Sequence, residues 1–121
     1  MPSSTEDFLL TAQALLQQPG EAAARSAVSR AYYAAYHAAL TFANSHGWPN
    51  CPYQMGVHEQ LTQRFERQGQ HYKALAIMLR NLRSARVKAD YELAATLNPL
   101  DAHTPVQTAP RLLDKLAAAP A

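Results

Sequence analysis

Apolar residues recur along the chain at the three- and four-residue spacing of amphipathic helices, and no useful stretch alternates with period two. The pattern predicts helices ending near Gln18, from about Glu21 to Ser45, from about Gly56 to Gln68, and from about His71 to Ala95. A last helix is expected to begin at Thr104-Pro105, or only at about Ala109 if Pro110 delays it. No sheet is expected.

Glycine and proline separate these segments at Pro19-Gly20, Gly47 to Pro52, Gly69 and Asn98-Pro99. Ser3 and Glu6 have the spacing of a capping box for the first helix. The sequence therefore predicts an all-α, up-and-down helical bundle of about five helices, forming a single domain over residues 1–121.

Two apolar stripes indicate how the long helices pack. The stripe on the second helix consists of Val28, Ala31, Ala35, Ala39 and Phe42. The stripe on the fourth consists of Leu75, Met78, Leu82, Ala89 and Leu93. The many alanines of the second helix let neighbouring backbones approach closely. Leu112, Leu113 and Leu116 are expected to carry the core face of the last helix.

Composition narrows the class of protein. The chain has 121 residues, 48% hydrophobic and 17% charged, which fits one folded domain and excludes an intrinsically disordered chain. The single cysteine, Cys51, has no partner for an internal disulfide, which favours a reducing compartment. The first residues carry acids where a signal peptide carries lysines, and no apolar run reaches membrane-spanning length. We expect a soluble, cytoplasmic protein.

The net charge of +2 hides a basic segment: residues 64–88 contain seven bases and one acid. Such a run is either a solvated helix surface or a surface for an anionic partner such as RNA, a nucleotide or an acidic protein. The second helix also carries a polar stripe, because Ser26, Arg30, Tyr33 and His37 fall within about 40° of one another around its axis. This stripe is either solvated surface or a site or interface.

Arg86 is expected at the edge of the apolar stripe of the fourth helix, where a guanidinium cannot shed its charge and needs a partner. Asp90, one turn later, is that partner. The pair is either a scaffold ion pair or an arginine presented to a phosphate. Tyr91 lies about 140° around the helix from Arg86, so the two can share a ligand only through side-chain reach or across a dimer seam.

Several chemistries have no counterpart in this sequence. His58-Glu59 lacks the second histidine of a metalloprotease helix, and the histidines and Cys51 lack metal-ligand spacing. No glycine-rich loop could cradle a phosphate. We expect no metal and no cofactor, and Trp48 is expected to plug one end of the bundle.

Two segments carry a family resemblance. RSAVSRAYYAAYH, from Arg25 to His37, resembles the second helix of the HEPN superfamily, and RVKADY, from Arg86 to Tyr91, resembles the Arg-x-x-Ala-Asp-Tyr motif of one HEPN branch. The helix order and the position of His58 at the start of the third helix fit as well. The resemblance covers roughly residues 5–118.

The resemblance implies a helical bundle that dimerises with its fourth-helix motifs facing one cleft. Many relatives are metal-independent RNases in which an arginine and a later histidine act on RNA, and many are paired with an MNT-type nucleotidyltransferase that acts as antitoxin. Here Tyr91 stands where that histidine is expected. A phenol is a poor general base at pH 7, so RNA or nucleotide binding is the safer inference. His37 is another source of an imidazole.

We therefore expect a homodimeric HEPN protein that acts as toxin or accessory subunit with a nucleotidyltransferase-like partner and binds RNA or nucleotide, with RNase activity as one form of that function. The alternatives are a structural interaction module without a ligand and an unrelated helical adaptor. The candidate catalytic residues are Arg86, Asp90 and Tyr91. The candidate RNA or ligand contacts are Arg80, Arg83, Lys88, Arg30, Tyr33 and His37.

Overall fold

The computed structural model describes residues 4–119, which form five α-helices and, within that range, no strand. The helices are α1 (Thr5–Leu16), α2 (Glu21–Ser45), α3 (Val57–Glu66), α4 (Gln70–Tyr91) and α5 (Pro99–Ala118). The predicted all-α bundle of about five helices is confirmed. Helix α2 is central, because it packs against each of the other four. No helix in residues 4–119 has both the length and the apolar character needed to cross a membrane.

The start of α1 lies one residue later than predicted. Ser4 is the N-cap, and its hydroxyl accepts a hydrogen bond from the backbone N–H of Asp7 at 3.1 Å. The Asp7 carboxylate accepts in return from the Ser4 N–H at 3.0 Å, which completes a capping box. The predicted pairing of Ser3 with Glu6 involves Ser3, which lies outside the described residues.

Helix α2 has the predicted limits because glycines bound it. Gly20, at φ +100°, and Gly47, at φ +68°, both lie in the left-handed region that favours glycine. Between them the helix faces the core with methyl groups: six of its alanines are fully buried, namely Ala27, Ala31, Ala34, Ala35, Ala39 and Ala43. Val28 and Tyr32 are the larger hydrophobic side chains that α2 buries beside these alanines.

Larger side chains fill the rest of the core, most of them from the other helices and one, Val28, from α2 itself. The bulkiest fully buried ones are Phe65, Leu75, Leu82, Leu112 and Val28. Trp48 packs edge-on against Phe65 and Tyr72, with ring centroids 5.0 and 4.8 Å away, in the connection between α2 and α3. Trp48 is thus partly buried against the core, from the connection where it was expected to plug the bundle.

Helix α4 ends at Tyr91, four residues before the predicted end at Ala95. Leu93, which was expected in the apolar stripe, lies beyond the helix and is 73% exposed. The cause is Arg25 of α2, a 9% exposed side chain that reaches the end of α4. Its guanidinium donates hydrogen bonds to the backbone carbonyls of Lys88, Ala89, Glu92 and Ala95. The carbonyls of Lys88 and Glu92 also accept a backbone N–H, so the guanidinium matters most at Ala89 and Ala95, whose carbonyls have no backbone donor within the described residues.

Glu21, one turn before Arg25, completes this arrangement. Its carboxylate accepts from Arg25 at 2.8 Å and from the backbone N–H of Leu97 at 2.8 Å. Both hydrogen bonds favour the charged carboxylate and lower the pKa of Glu21. We call Glu21 and Arg25 the α2 clamp, since together they hold the chain between α4 and α5.

The last helix begins at Pro99, earlier than either predicted start. Asn98 and Asp101 form a capping box with hydrogen bonds of 3.0 and 3.1 Å, and proline is well suited to the first helical position. Pro105 and Pro110 lie inside the helix, where each lacks the N–H for one helix hydrogen bond. The burial of an apolar face against α2 outweighs that loss; the face includes Ala102, Val106, Ala109 and Leu112.

Candidate functional site

Arg86 lies between two tyrosine rings. Its Nη2 donates to the Tyr33 hydroxyl at 2.9 Å and lies 3.5 Å from the Tyr91 hydroxyl. The centre of the guanidinium is 5.2 Å from the Tyr33 ring centroid and 5.4 Å from that of Tyr91, within the range of cation–π attraction. Tyr91 therefore reaches Arg86 within the same helix. Of the two arrangements considered from the sequence, side-chain reach and a dimer seam, this is side-chain reach.

Asp90 partners Arg86 as predicted. Arg86 Nε lies 3.0 Å from Asp90 Oδ2, but its N–H does not point at that oxygen, so the contact is an ion pair and not an aligned hydrogen bond. Ser29 of α2 donates to the same carboxylate at 3.2 Å. The Arg86 side chain is 13% exposed, and its Nη1 has no hydrogen-bond partner within residues 4–119. One nitrogen of a held guanidinium is thus open to an oxyanion.

Arg83, one turn before Arg86, is half-buried. Its Nε is fully buried and makes no hydrogen bond to any residue in the described range. A buried donor without an acceptor costs about 1–3 kcal/mol, which a bound water or ligand would relieve. Arg83 and Arg86 bring two positive charges to this region against the one carboxylate of Asp90.

A tyrosine and a histidine form the inner part of the site. The Tyr32 hydroxyl, on a 3% exposed side chain of α2, makes a 2.5 Å hydrogen bond with His58 Nδ1 of α3. Burial lowers the pKa of His58, and the positive charges of Arg83 and Arg86 lower it further. Burial raises the pKa of Tyr32 well above its usual value, against the opposing effect of the same arginines. Both groups are therefore neutral at pH 7.

Sequence reasoning did not place His58 in the site. The signal available was its position at the start of the third helix, which the family resemblance noted without a role. Tyr36 extends the aromatic cluster, with its ring centroid 5.0 Å from that of His58 and 5.3 Å from that of His37. His37 itself is exposed and stacks on Phe8 at 6.1 Å, so it lies on the rim of the cluster.

The polar stripe predicted on α2 is therefore divided. Tyr33 contacts Arg86, and His37 lies on the rim. Arg30 is exposed beside α1 and lines a shallow cleft of about 320 Å³ with Asp7 and Thr11.

The basic segment does not form one open surface either. Arg80 makes ion pairs with Glu59 at 3.1 Å and with Glu66 at 3.0 Å. Lys88 is half-buried, and its carbonyl accepts from Arg25. Arg83 and Arg86 are the members that converge on the tyrosines and His58. We call the cluster of Tyr32, Tyr33, His58, Arg83, Arg86, Asp90 and Tyr91 the arginine–tyrosine site.

No group of three or more metal-ligating side chains is close enough to hold an ion in the part of the chain that the structure describes. Comparisons with protein-family models, curated proteins and solved structures find no match. Function is therefore inferred from the chemistry of the arginine–tyrosine site.

Proposed function

We propose that the arginine–tyrosine site binds the phosphate backbone of RNA, in a homodimeric, HEPN-like protein that works with a nucleotidyltransferase-like partner. The observation that carries the proposal is the guanidinium of Arg86, held by Asp90 and Tyr33 with Nη1 unpaired. Arginine with fixed geometry is the side chain best suited to a phosphate oxygen.

The charge balance of the site supports an anionic ligand. Arg83 and Arg86 exceed Asp90 by one positive charge, since His58 is neutral and Glu59 is paired with Arg80. A phosphodiester supplies one negative charge and two free oxygens, enough to accept from Arg86 Nη1 and from a second donor of the site.

Tyr91 supports a nucleic acid over an isolated phosphate. Its side chain is 69% exposed, although its hydroxyl lies beside Arg86. An exposed ring next to a phosphate-binding arginine offers a surface for a base to stack on, and such stacking is sequence-tolerant. We therefore propose binding to single-stranded RNA without sequence specificity.

The resemblance supplies the wider context of this proposal. The resemblance implies an up-and-down helical bundle with Arg86, Asp90 and Tyr91 on its fourth helix, and the five-helix bundle agrees with that architecture. A role as toxin or accessory subunit, a nucleotidyltransferase partner and a cytoplasmic location belong to the same proposal. Its assembly is tested by sedimentation velocity: a monomer at micromolar concentration would contradict the homodimer.

RNA cleavage is a second candidate, which His58 favours. Its lowered pKa keeps the imidazole neutral at pH 7, and a neutral imidazole can accept a proton. If the protein cleaves RNA, labelled RNA should be cut in the absence of metal ions. The His58→Gln variant should then still bind RNA but no longer cut it. Binding without product would leave the protein a non-cleaving RNA binder.

The binding proposal is tested by fluorescence anisotropy with a labelled oligouridylate, between about 50 and 200 mM salt. Arg86→Gln should weaken binding at least about tenfold, because it removes a charge-assisted hydrogen bond. Arg111→Gln, which removes an exposed charge from α5, is the control and should change binding little.

Since Arg86→Gln also leaves Asp90 without its cation, thermal melts accompany the titration. Tyr91→Ala, at an exposed position, should weaken RNA binding severalfold while the melting temperature stays the same. If both variants bind RNA as the wild type does, the site is a scaffold pair. Undetectable wild-type binding at low salt would favour the structural interaction module instead.

A further inference from the structure

Arg64 of α3 is a buried cation outside the arginine–tyrosine site. It is 7% exposed, its Nε donates to the Trp48 carbonyl at 3.0 Å, and its Nη2 donates to the Asn44 side-chain oxygen at 2.9 Å. Both acceptors are neutral. Within residues 4–119 no carboxylate forms an ion pair with Arg64, whereas Arg25 and Arg86 each pair with one carboxylate and Arg80 with two.

The end of α2 offsets only part of this charge. Asn44 lies in the last turn of α2, where the helix dipole contributes roughly half a negative charge. This dipole favours the guanidinium but does not take the place of a carboxylate partner. An isolated buried charge is costly, so this arrangement favours an anion at the guanidinium.

Arg64 lines a cleft of about 360 Å³ between α2, the following connection and α3. Its Nη1 has no hydrogen-bond partner within the described residues, and Asn50, which is exposed, lines the same cleft. Leu40 and Leu61 supply an apolar wall. The lining thus combines the cation of Arg64 and amide groups with apolar side chains.

Gln60 keeps the cleft in shape. Its side-chain oxygen accepts from the Cys51 N–H at 2.8 Å, and its amide nitrogen donates to the carbonyls of Cys51 and Tyr53. These three bonds hold the connection over α3. A ligand therefore meets a formed cleft, which reduces the ordering cost of binding.

We propose that this cleft binds a small organic anion, with a carboxylate or phosphate head on Arg64 and a short apolar body against Leu40 and Leu61. The size of the cleft suits a small molecule. This inference does not depend on RNA binding, because none of Arg83, Arg86 or Tyr91 lines the cleft.

The test is an NMR titration of the full chain that follows the Arg64 Nε–H signal and the backbone amides of Asn44 and Asn50. The probes are acetate, butyrate, inorganic phosphate and butyl phosphate, with ionic strength held constant by sodium chloride. One head group should give saturable shifts that the other does not. The longer member of that pair should bind tighter than the shorter, by about tenfold for two or more buried CH₂ groups.

Asn50→Asp places a negative charge at the cleft and should weaken this binding at least about tenfold. Asn81→Asp makes the same change at an exposed position of α4 and should have no effect. Oligouridylate binding should be the same in both variants. The proposal is overturned if no probe gives a saturable shift, if chloride shifts the signals equally, or if Asn81→Asp weakens binding as much as Asn50→Asp.

Discussion

Replacing Arg25 by alanine tests the α2 clamp most directly. Arg25→Ala removes the donors that end α4 and leaves the carbonyls of Lys88, Ala89, Glu92 and Ala95 without their charged partner. It also leaves a cavity where a 9% exposed guanidinium was. We expect a large loss of stability.

The magnitude follows from the bonds that are lost. A hydrogen bond from a charged donor contributes about 1.5–3 kcal/mol, and the four carbonyls share two nitrogens, so their contributions do not add fully. Water can reach the exposed Glu92, whereas Ala89 is 1% exposed. We expect a loss of about 4 kcal/mol in the free energy of unfolding. For a chain of this length that corresponds to a fall in melting temperature of about 16 °C.

The assay is urea denaturation followed by circular dichroism, with hydrogen exchange of the backbone amides of residues 92–98. Arg25→Lys keeps the charge but not the planar fork, and should give an intermediate loss. Arg30→Ala, at an exposed position of the same helix, should stay within about 0.5 kcal/mol of the wild type. A loss below about 1 kcal/mol for Arg25→Ala would refute the role assigned to the clamp.

Three further outcomes are expected. Since the folded protein lowers the pKa of His58 from 6.5, His58 contributes stability that is present above about pH 6.5 and lost as the pH falls below it. His58→Gln should flatten that part of the stability–pH profile, measured by urea denaturation from pH 7 to 5, and an unchanged slope would contradict this. Asn98→Ala should cost about 1 kcal/mol in urea denaturation by removing the cap of α5, whereas Asn98→Asp, which keeps an acceptor, should cost little; equal losses would count against the capping box. If the site binds RNA, Arg83→Gln should lower the slope of log affinity against log salt by about one unit, and Arg80→Gln by less because two carboxylates already hold Arg80; the reverse order in anisotropy titrations would contradict this ranking.

Local signals in the sequence were sufficient for most of the helices. The limits of α2 follow from Gly20 and Gly47, and the apolar spacing identifies each segment. The end of α4 was missed because Arg25, which sets it, lies 63 to 70 residues away in sequence from the carbonyls that it binds. The start of α5 was missed because Pro105 and Pro110 are strong breakers locally, whereas burial against α2 overrides them.

In the candidate site, too, contacts within one helix could be predicted from the sequence, whereas contacts between helices could not. Arg86 and Asp90 are one helical turn apart, so their contact was predictable from spacing alone. The contact of Arg86 with Tyr33 spans 53 residues, and that of Tyr32 with His58 spans 26, so both depend on how the helices pack. Arg64 was counted only as part of a basic segment, because nothing in the pattern of α3 indicates its burial.

Helix α2 supplies both Arg25, which ends α4, and Tyr33, which orients Arg86 on α4. Eight residues separate them, and both depend on the rotational phase of a single helix. One residue inserted or deleted between them would rotate everything downstream by about 100° and lengthen or shorten the helix by about 1.5 Å. Either the hydrogen bonds from Arg25 to the end of α4 or the hydrogen bond between Tyr33 and Arg86 would then be broken. The stretch of α2 from Arg25 to Tyr33 can therefore accept substitutions in evolution. A change in its length would prevent Arg25 and Tyr33 from contacting α4 at the same time.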